Sequence, residues 1–304
     1  MKLGFVGAGR LGSTAALACL YLTDPDEMAI VDILHDLAEG EALDMESAAA
    51  ALGKPVKVVG GSDYGLLKGS DIVVVTAGVP RKPGMSRLDL VKTNDGILAK
   101  IMAGLKANCP GAVLLMVANP VDILLYRAVT AHGWPRERAI GMGTVHDTAR
   151  LKGILLAMGA KRADPVVLGE HGDTMFPSRS LSKVSGVGVP WNEVVPKLRE
   201  RAMEVIKRKG ATTTTPGTVI ALMVRTVVQD RREETVTSVL LRGEYGLSGV
   251  ALSVPCVLGR RGLVTVVEKR LPPDEMKALQ ASAEALKAVI RDLEAPQARA
   301  PAGA

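Results

Sequence analysis

The sequence predicts an α/β protein: a doubly wound parallel sheet over residues 1–143, then a second, mixed α+β domain over residues 144–293. Three observations carry this. Short β-branched runs alternate with helical patterns through the first half. G-x-G-x-x-G stands where the first strand meets the first helix. The rhythm changes near residue 145. Strand–helix alternation implies parallel neighbours joined by right-handed crossovers. Residues 294–304 hold no apolar period and are expected to form a disordered tail.

The elements follow in order. Lys2–Val6 reads as a strand, and Gly7-Ala8-Gly9-Arg10-Leu11-Gly12 opens a helix reaching about Leu22. Met28–Asp32 is a second strand, followed by a helical pattern over Asp36–Leu52, and Val56–Val59 is a third strand. Asp71–Thr76 (DIVVVT) is almost wholly apolar, as a parallel strand buried on both faces should be. Leu88–Asn108 is a long helix, Ala112–Val117 a strand, Val121–His132 a helix and Ala139–Gly141 a short strand. Beyond the change of rhythm, Thr144–Met158, Val194–Lys209 and Thr218–Asp230 read as helices. Val166–Leu168, Val236–Leu241, Val250–Leu258 and Leu263–Glu268 read as strands. Pro272–Leu293 is a terminal amphipathic helix, with Pro273, Asp274 and Glu275 in its first turn, where proline is tolerated and acids favour the positive end.

Composition narrows the function classes. With 304 residues, 47% apolar and 23% charged, the chain can build a large core and is not a disordered polymer. Its longest apolar run, Ala15–Leu22, falls short of the roughly 18 residues that span a membrane. The N-terminus lacks the continuous apolar stretch of a signal peptide, so a cytoplasmic location is expected. The net charge of +6 is spread among acids and aromatics are only 3%, without the clustered basic stripe of a nucleic-acid binder. An anionic small molecule or a merely solvated surface fits this charge. Cys19, Cys109 and Cys256 are too widely spaced for a disulfide framework or a metal site and read as reduced structural thiols. Four Asn and three Gln hint at a thermophilic source, although 12 Met argue the other way.

In the glycine motif, Gly7 permits a tight turn, Gly9 lets the backbone approach a pyrophosphate, and Gly12 lets the helix pack on its strand. Asp32 closes the second strand 20 residues after Gly12. A carboxylate there accepts hydrogen bonds from adenosine ribose hydroxyls and repels a 2′-phosphate. The pattern is a Rossmann dinucleotide fingerprint that favours NAD, with NADP used at lower efficiency.

Two further segments carry chemistry. Gly169-Glu170-His171-Gly172-Asp173 puts a histidine between glycines on a loop, where its ordinary pKa suits proton exchange. Upstream, Asp147 and Arg150 share one helical face. An aspartate near the histidine would fix its tautomer, and an arginine would clamp a carboxylate. By spacing alone this pair fits an ordinary surface ion pair as well as a site. Residues 77–87 (AGVPRKPGMSR) follow the fourth strand with two prolines, two glycines and three cations. That composition fits a mobile lid over an anion, and equally a solvated basic loop.

Taken together, GAGRLG, Asp32, TAGVPRKPGMSRLDL, VANPVD, DTAR, GEHGD and KGAT resemble the lactate/malate dehydrogenase family over residues 1–293, in order and spacing. RKPGMSR resembles the malate dehydrogenases, in particular the lactate-dehydrogenase-like ones. The resemblance implies reversible NAD-dependent oxidation of (S)-malate to oxaloacetate in the tricarboxylic acid cycle, by a homotetramer that binds neither nucleic acid nor membrane and holds no metal. An L-lactate dehydrogenase is the alternative, and a non-catalytic dinucleotide sensor a more distant one. The resemblance implies that His171 is the acid/base, Asp147 its orienting carboxylate, and Arg87 the group that polarises the carbonyl. Arg150 would bind the C1 carboxylate, Arg81 the second carboxylate, Asn119 the substrate oxygen and nicotinamide ribose, and Thr212 would line the pocket. The cofactor side takes in Gly7, Gly9, Arg10, Leu11, Gly12, Asp32, Thr76, Ala77, Gly78, Asn94, Val117 and Asn119. Two departures stand out: His146 replaces a usual leucine, either packed or perturbing Asp147, and the TTTTPG run replaces a more aromatic stretch after Thr212, although Pro216 there resembles the malate dehydrogenases. His35 and His132 match nothing and are expected at the surface.

Overall fold

The computed structural model describes residues 1–80 and 84–295. The expected basic-loop residues Arg81 and Lys82 and the tail from residue 296 on lie outside the described residues. The N-terminal part runs β1 (Lys2–Val6), α1 (Arg10–Leu22), β2 (Glu27–Val31), α2 (His35–Ala51), β3 (Lys57–Gly61), β4 (Ile72–Val75), α3 (Arg87–Asn108), β5 (Val113–Met116), α4 (Val121–Thr130) and β6 (Ala139–Gly141). It continues through α5 (Val145–Ala157), β7 (Arg162–Asp164), β8 (Val167–Leu168), β9 (Phe176–Pro177), β10 (Lys183–Ser185), α6 (Trp191–Lys209) and α7 (Thr214–Val228). The chain ends β11 (Glu234–Arg242), β12 (Ser248–Gly259), β13 (Gly262–Val266) and α8 (Pro273–Glu294).

The first six strands are parallel in the order β3-β2-β1-β4-β5-β6, with β1 and β4 at the point where the winding reverses. The central strands bury every residue of Ile72–Val75 and Val113–Met116, because helices cover both faces. One core cluster joins Leu3, Phe5, Ile72, Val74 and Leu115 to α1, α2 and α7. A second, across the sheet, joins Val73, Val75 and Leu114 to α3 and α4.

The second half is less separate than the sequence implies. β12 pairs antiparallel with both β11 and β13, and β11 pairs with β6 through Ser238 and Gly141, so one nine-stranded sheet runs through both halves. A smaller cluster of Leu151, Leu155, Val167, Val194 and Leu198 holds α5 and α6 together beside it. The two-stranded ribbons β7–β10 and β8–β9 complete this part.

Two helices begin earlier than their patterns predict. α7 starts at Thr214 rather than Thr218, taking in the β-branched run and Pro216. Proline is tolerated there because first-turn N–H groups have no partner within the helix. α6 starts at Trp191 rather than Val194 and carries Pro196 inside it. α3 opens with a reciprocal cap: Ser86 Oγ accepts from Asp89 N, and Ser86 N donates to the Asp89 carboxylate. All three cysteines are buried and free. Among the described residues no helix is long and apolar enough to cross a membrane.

Candidate active site

The glycine turn has the geometry its spacing predicts. Gly7 sits at φ +110°, and a Cβ at Gly12 would lie 1.8 Å from Gly7 O, so α1 packs onto the turn only without a side chain there. A Cβ at Gly9 would meet nothing within 4 Å, because that residue faces open space. Among the described residues no side chain caps α1. Asp32 Oδ2 accepts from Ala8 N at 2.8 Å and Oδ1 from Leu34 N at 3.0 Å, which joins the end of β2 to the turn. A cleft of about 430 Å³ runs along this edge, lined by Gly7, Gly9, Arg10, Leu11, Gly12, Asp32, Thr76, Ala77 and Gly78 among others. Ile33-Leu34-His35 follow Asp32, so the three positions after it carry neither lysine nor arginine. Uncapped helix amides, an unobstructed Gly9 and a carboxylate at the ribose position fit an adenine dinucleotide without that phosphate.

Asn94 and Val117 stand further back. Asn94 is buried on α3, and its amide bonds Val79 N, Val79 O and Asn119 O at 2.9, 3.1 and 2.7 Å. It therefore ties the loop after β4 to the loop after β5. Val117 is buried, with its N–H on Val75 O. Asn119 is exposed at the start of the turn into α4.

A cluster of Asp147, Arg150 and His171 assembles where α5 meets the loop after β8. Asp147, in the first turn of α5, is 2% exposed. Its Oδ2 accepts from His171 Nδ1 at 2.5 Å and its Oδ1 from Arg150 Nη1 at 3.0 Å. A surface ion pair is thereby excluded, since the carboxylate is desolvated and held by the Arg150 guanidinium and the His171 imidazole. Burial opposes charge on His171, but Asp147, helped by Asp122, raises its pKa above the ordinary histidine value. Burial likewise opposes charge on Asp147, and His171 and Arg150 hold its pKa below the usual carboxylate range. With Nδ1 taken by Asp147, Nε2 is the nitrogen left for a reacting group.

Gly169 turns the loop at φ +91° and exchanges two backbone hydrogen bonds with Ser253 of β12 at 3.0 Å each. His171 N donates to Asp122 Oδ2 at 2.8 Å, and Ser238 Oγ donates to Asp122 Oδ1 at 2.6 Å. Sequence reasoning missed Asp122. Its signals are its place at the end of the VANPVD motif and an acid in the otherwise apolar opening of α4, where it is buried. His146 is 4% exposed and lies 3.0 Å, through Nε2, from Arg150 Nη2. Arg150 and Thr212 line a cavity of about 360 Å³ with Arg201, Lys209 and Thr213–Thr215.

Arg81 lies outside the described residues. Arg87 opens α3, and its side chain also lies outside them. His35 is exposed as expected. His132 is not: it is half-buried, its Nε2 has no hydrogen-bond partner among the described residues, and burial lowers its pKa.

A family model described as lactate/malate dehydrogenase, NAD binding domain, matches residues 1–141. A second, described as lactate/malate dehydrogenase, alpha/beta C-terminal domain, matches residues 144–297. The chain belongs to the lactate/malate dehydrogenase family. It is thus an NAD-dependent oxidoreductase by family. The malate dehydrogenase of Archaeoglobus fulgidus is 47% identical over 294 residues, spanning 96% of this chain and 99% of that protein. A solved structure of that enzyme in complex with NADH superposes with a TM-score of 0.93, covering 96% of this chain and 99% of its own. An L-lactate dehydrogenase of Kosmotoga olearia is 36% identical over 312 residues, covering 96% of each chain. The malate dehydrogenase structure of Aeropyrum pernix is 32% identical, with a TM-score of 0.89 over 95% of this chain and 97% of that one.

Proposed function

We propose that the chain is a malate dehydrogenase catalysing the reversible NAD-dependent conversion of (S)-malate to oxaloacetate. The observation that carries the reading is the buried contact of Asp147 with both His171 and Arg150, which sets a proton-transfer group beside a carboxylate-binding one. The relative at 47% identity, named malate dehydrogenase, supports the substrate class.

His171 Nε2 takes the C2 hydroxyl proton of malate, while Nδ1–H stays on Asp147, which stabilises the imidazolium that forms. Arg150 binds the C1 carboxylate through its planar fork, and Thr212 lines that end of the pocket. Arg87 stabilises negative charge on the reacting oxygen, and Arg81 meets the second carboxylate. Asn119 bonds near the substrate oxygen. Gly7, Gly9, Arg10, Leu11, Gly12, Asp32, Thr76, Ala77 and Gly78 hold the dinucleotide, with Asn94 and Val117 supporting the loops beside it. NAD, when bound, supplies the hydride acceptor.

The finer features belong to the same reading. We take residues 1–143 as a nucleotide domain and 144–293 as a substrate domain, a division supported by family matches over 1–141 and 144–297. Exposed Tyr21, Leu43 and Leu222 on α1, α2 and α7 support a homo-oligomer, taken as a tetramer. A cytoplasmic enzyme of the tricarboxylic acid cycle from a thermophilic source completes it, the source supported by the low amide count.

The L-lactate relative keeps a second reading open, in which pyruvate is the preferred substrate. Steady-state kcat/KM for oxaloacetate and pyruvate, each with NADH and then NADPH, decides between them. A preference for oxaloacetate with NADH is expected; a preference for pyruvate would overturn the assignment.

A further inference from the structure

His146 immediately precedes Asp147 in the first turn of α5, so both are acceptors for the same arginine. Arg150 Nη1 lies 3.0 Å from Asp147 Oδ1, and Nη2 lies 3.0 Å from His146 Nε2. The spacings of three and four residues place both partners on the helical face that carries Arg150. A guanidinium has only donors, so Nη2–H donates and His146 Nε2 carries no proton. Burial, then the charges of Arg150 and His171, push the His146 imidazole down to about 3 against the opposing pull of Asp147. It is therefore a neutral acceptor at neutral pH. Its ring also stands 5.9 Å from that of His171, centroid to centroid.

We propose that His146 is a positioning residue for substrate binding: its unprotonated Nε2 fixes the orientation of the Arg150 guanidinium, which then meets the substrate carboxylate in a single pose. This rests on the assignment of Arg150 to the C1 carboxylate made above. One ion pair at Nη1 leaves the guanidinium plane free to turn about that contact. A second acceptor at Nη2 removes the freedom before substrate arrives, and the ordering cost falls on the fold rather than on binding. A leucine at this position fills a similar volume but offers no acceptor. The imidazole thus serves as a hydrogen-bond acceptor here, and as neither an acid nor a base.

The test measures oxaloacetate reduction with NADH by the wild type, His146→Leu, His146→Gln and Arg150→Lys. Orientation of Arg150 before binding acts on ground state and transition state alike, so it appears in KM with kcat preserved. His146→Leu is expected to raise the KM for oxaloacetate about tenfold, the scale of one hydrogen bond to a charged group, with kcat within about twofold and NADH affinity unchanged. His146→Gln, whose amide oxygen accepts, should recover most of the loss. Arg150→Lys should raise KM more than His146→Leu does. If Arg150→Lys raises KM and His146→Leu does not, His146 only packs and the proposal is wrong. If Arg150→Lys leaves KM unchanged, the carboxylate assignment itself fails and the proposal falls with it. Should His146→Leu not fold, the 15N shifts of His146 in the wild type decide: an unprotonated Nε2 with a protonated Nδ1 between pH 6 and 8 supports the proposal, and a protonated Nε2 overturns it.

Discussion

Asp147 Oδ2 and His171 Nδ1 lie 2.5 Å apart although 24 positions separate them in the chain. The contact joins the first turn of α5 to the loop after β8 and is buried on the carboxylate side. It makes Asp147 an acceptor whose charge is in place before His171 takes a proton. Asp147→Asn removes that charge and is expected to lower kcat about 10²- to 10⁴-fold, the usual worth of a positioned acid/base, with NADH affinity retained. Oxaloacetate reduction needs imidazolium, so its kcat/KM falls as pH rises through the pKa of His171. Because Asp147 raises that pKa, the variant should move the inflection to lower pH. An inflection in its original place would show that Asp147 does not set the proton affinity.

Asp122 holds the other side of the same loop, through His171 N and Ser238 Oγ. Asp122→Asn keeps one amide oxygen for two donors, so one buried donor loses its acceptor. We expect a stability loss of about 1–3 kcal/mol by denaturant unfolding, and a fall in kcat with NADH affinity kept. Ser238→Ala, which removes one donor and leaves the His171 N contact, should cost less in kcat. Equal kcat losses for the two variants would indicate that Asp122 only braces β11.

Stability should depend on pH through His146. Its folded-state pKa is depressed to about 3 from 6.5, so neutral imidazole is what the fold favours. The sign is that of a depressed pKa: the contribution is fully present above pH 6.5 and is lost as pH falls toward 3. Between these values it falls by about 1.4 kcal/mol per pH unit. His171, whose pKa is raised, acts oppositely: its contribution is present below pH 6.5 and lost as pH rises through the folded value. Urea unfolding of the wild type and His146→Leu between pH 4 and 8 checks this. The variant should show a flatter acid limb, and parallel curves would remove His146 from the linkage.

Asp32→Ser should relax the preference for NADH over NADPH, because it removes the carboxylate at the end of β2 that is assigned to the ribose. The readout is the ratio of kcat/KM for the two cofactors. Asp32 also accepts from Ala8 N and Leu34 N, so a modest rise in KM for NADH is expected too. An unchanged cofactor ratio would place Asp32 away from the ribose.

Arg81→Gln should lower kcat/KM for oxaloacetate far more than for pyruvate. Loss of one partner from a desolvated ion pair costs about 2–5 kcal/mol, roughly 30- to 4,000-fold, and pyruvate has only a methyl group at that end. A selective loss with Lys82→Gln instead would move the specificity residue by one position.

Much of this was readable from the chain itself, because it depends on local rules. The apolar runs at Ile72–Val75 and Val113–Met116 mark strands buried on both faces, and Gly7, Gly9 and Gly12 admit few backbone solutions besides a turn opening a helix. Asp32 follows from that turn by counting. The start of α7 was hidden because threonine and proline both argue against helix interiors, and only their place in the first turn makes them harmless. The tertiary structure alone decided that β11 to β13 extend the nucleotide sheet through Ser238 and Gly141, since a strand's sequence does not encode which edge it meets. It alone decided that Asp122 and Ser238, 116 positions apart, converge on the His171 loop. It also turned Asp147 and Arg150 from a plausible surface pair into a buried one. Periodicity and turn chemistry act within a few residues and are written in order along the chain. Burial, and the electrostatics that follow from it, depend on which distant segments pack together, and that is settled only when the whole fold closes.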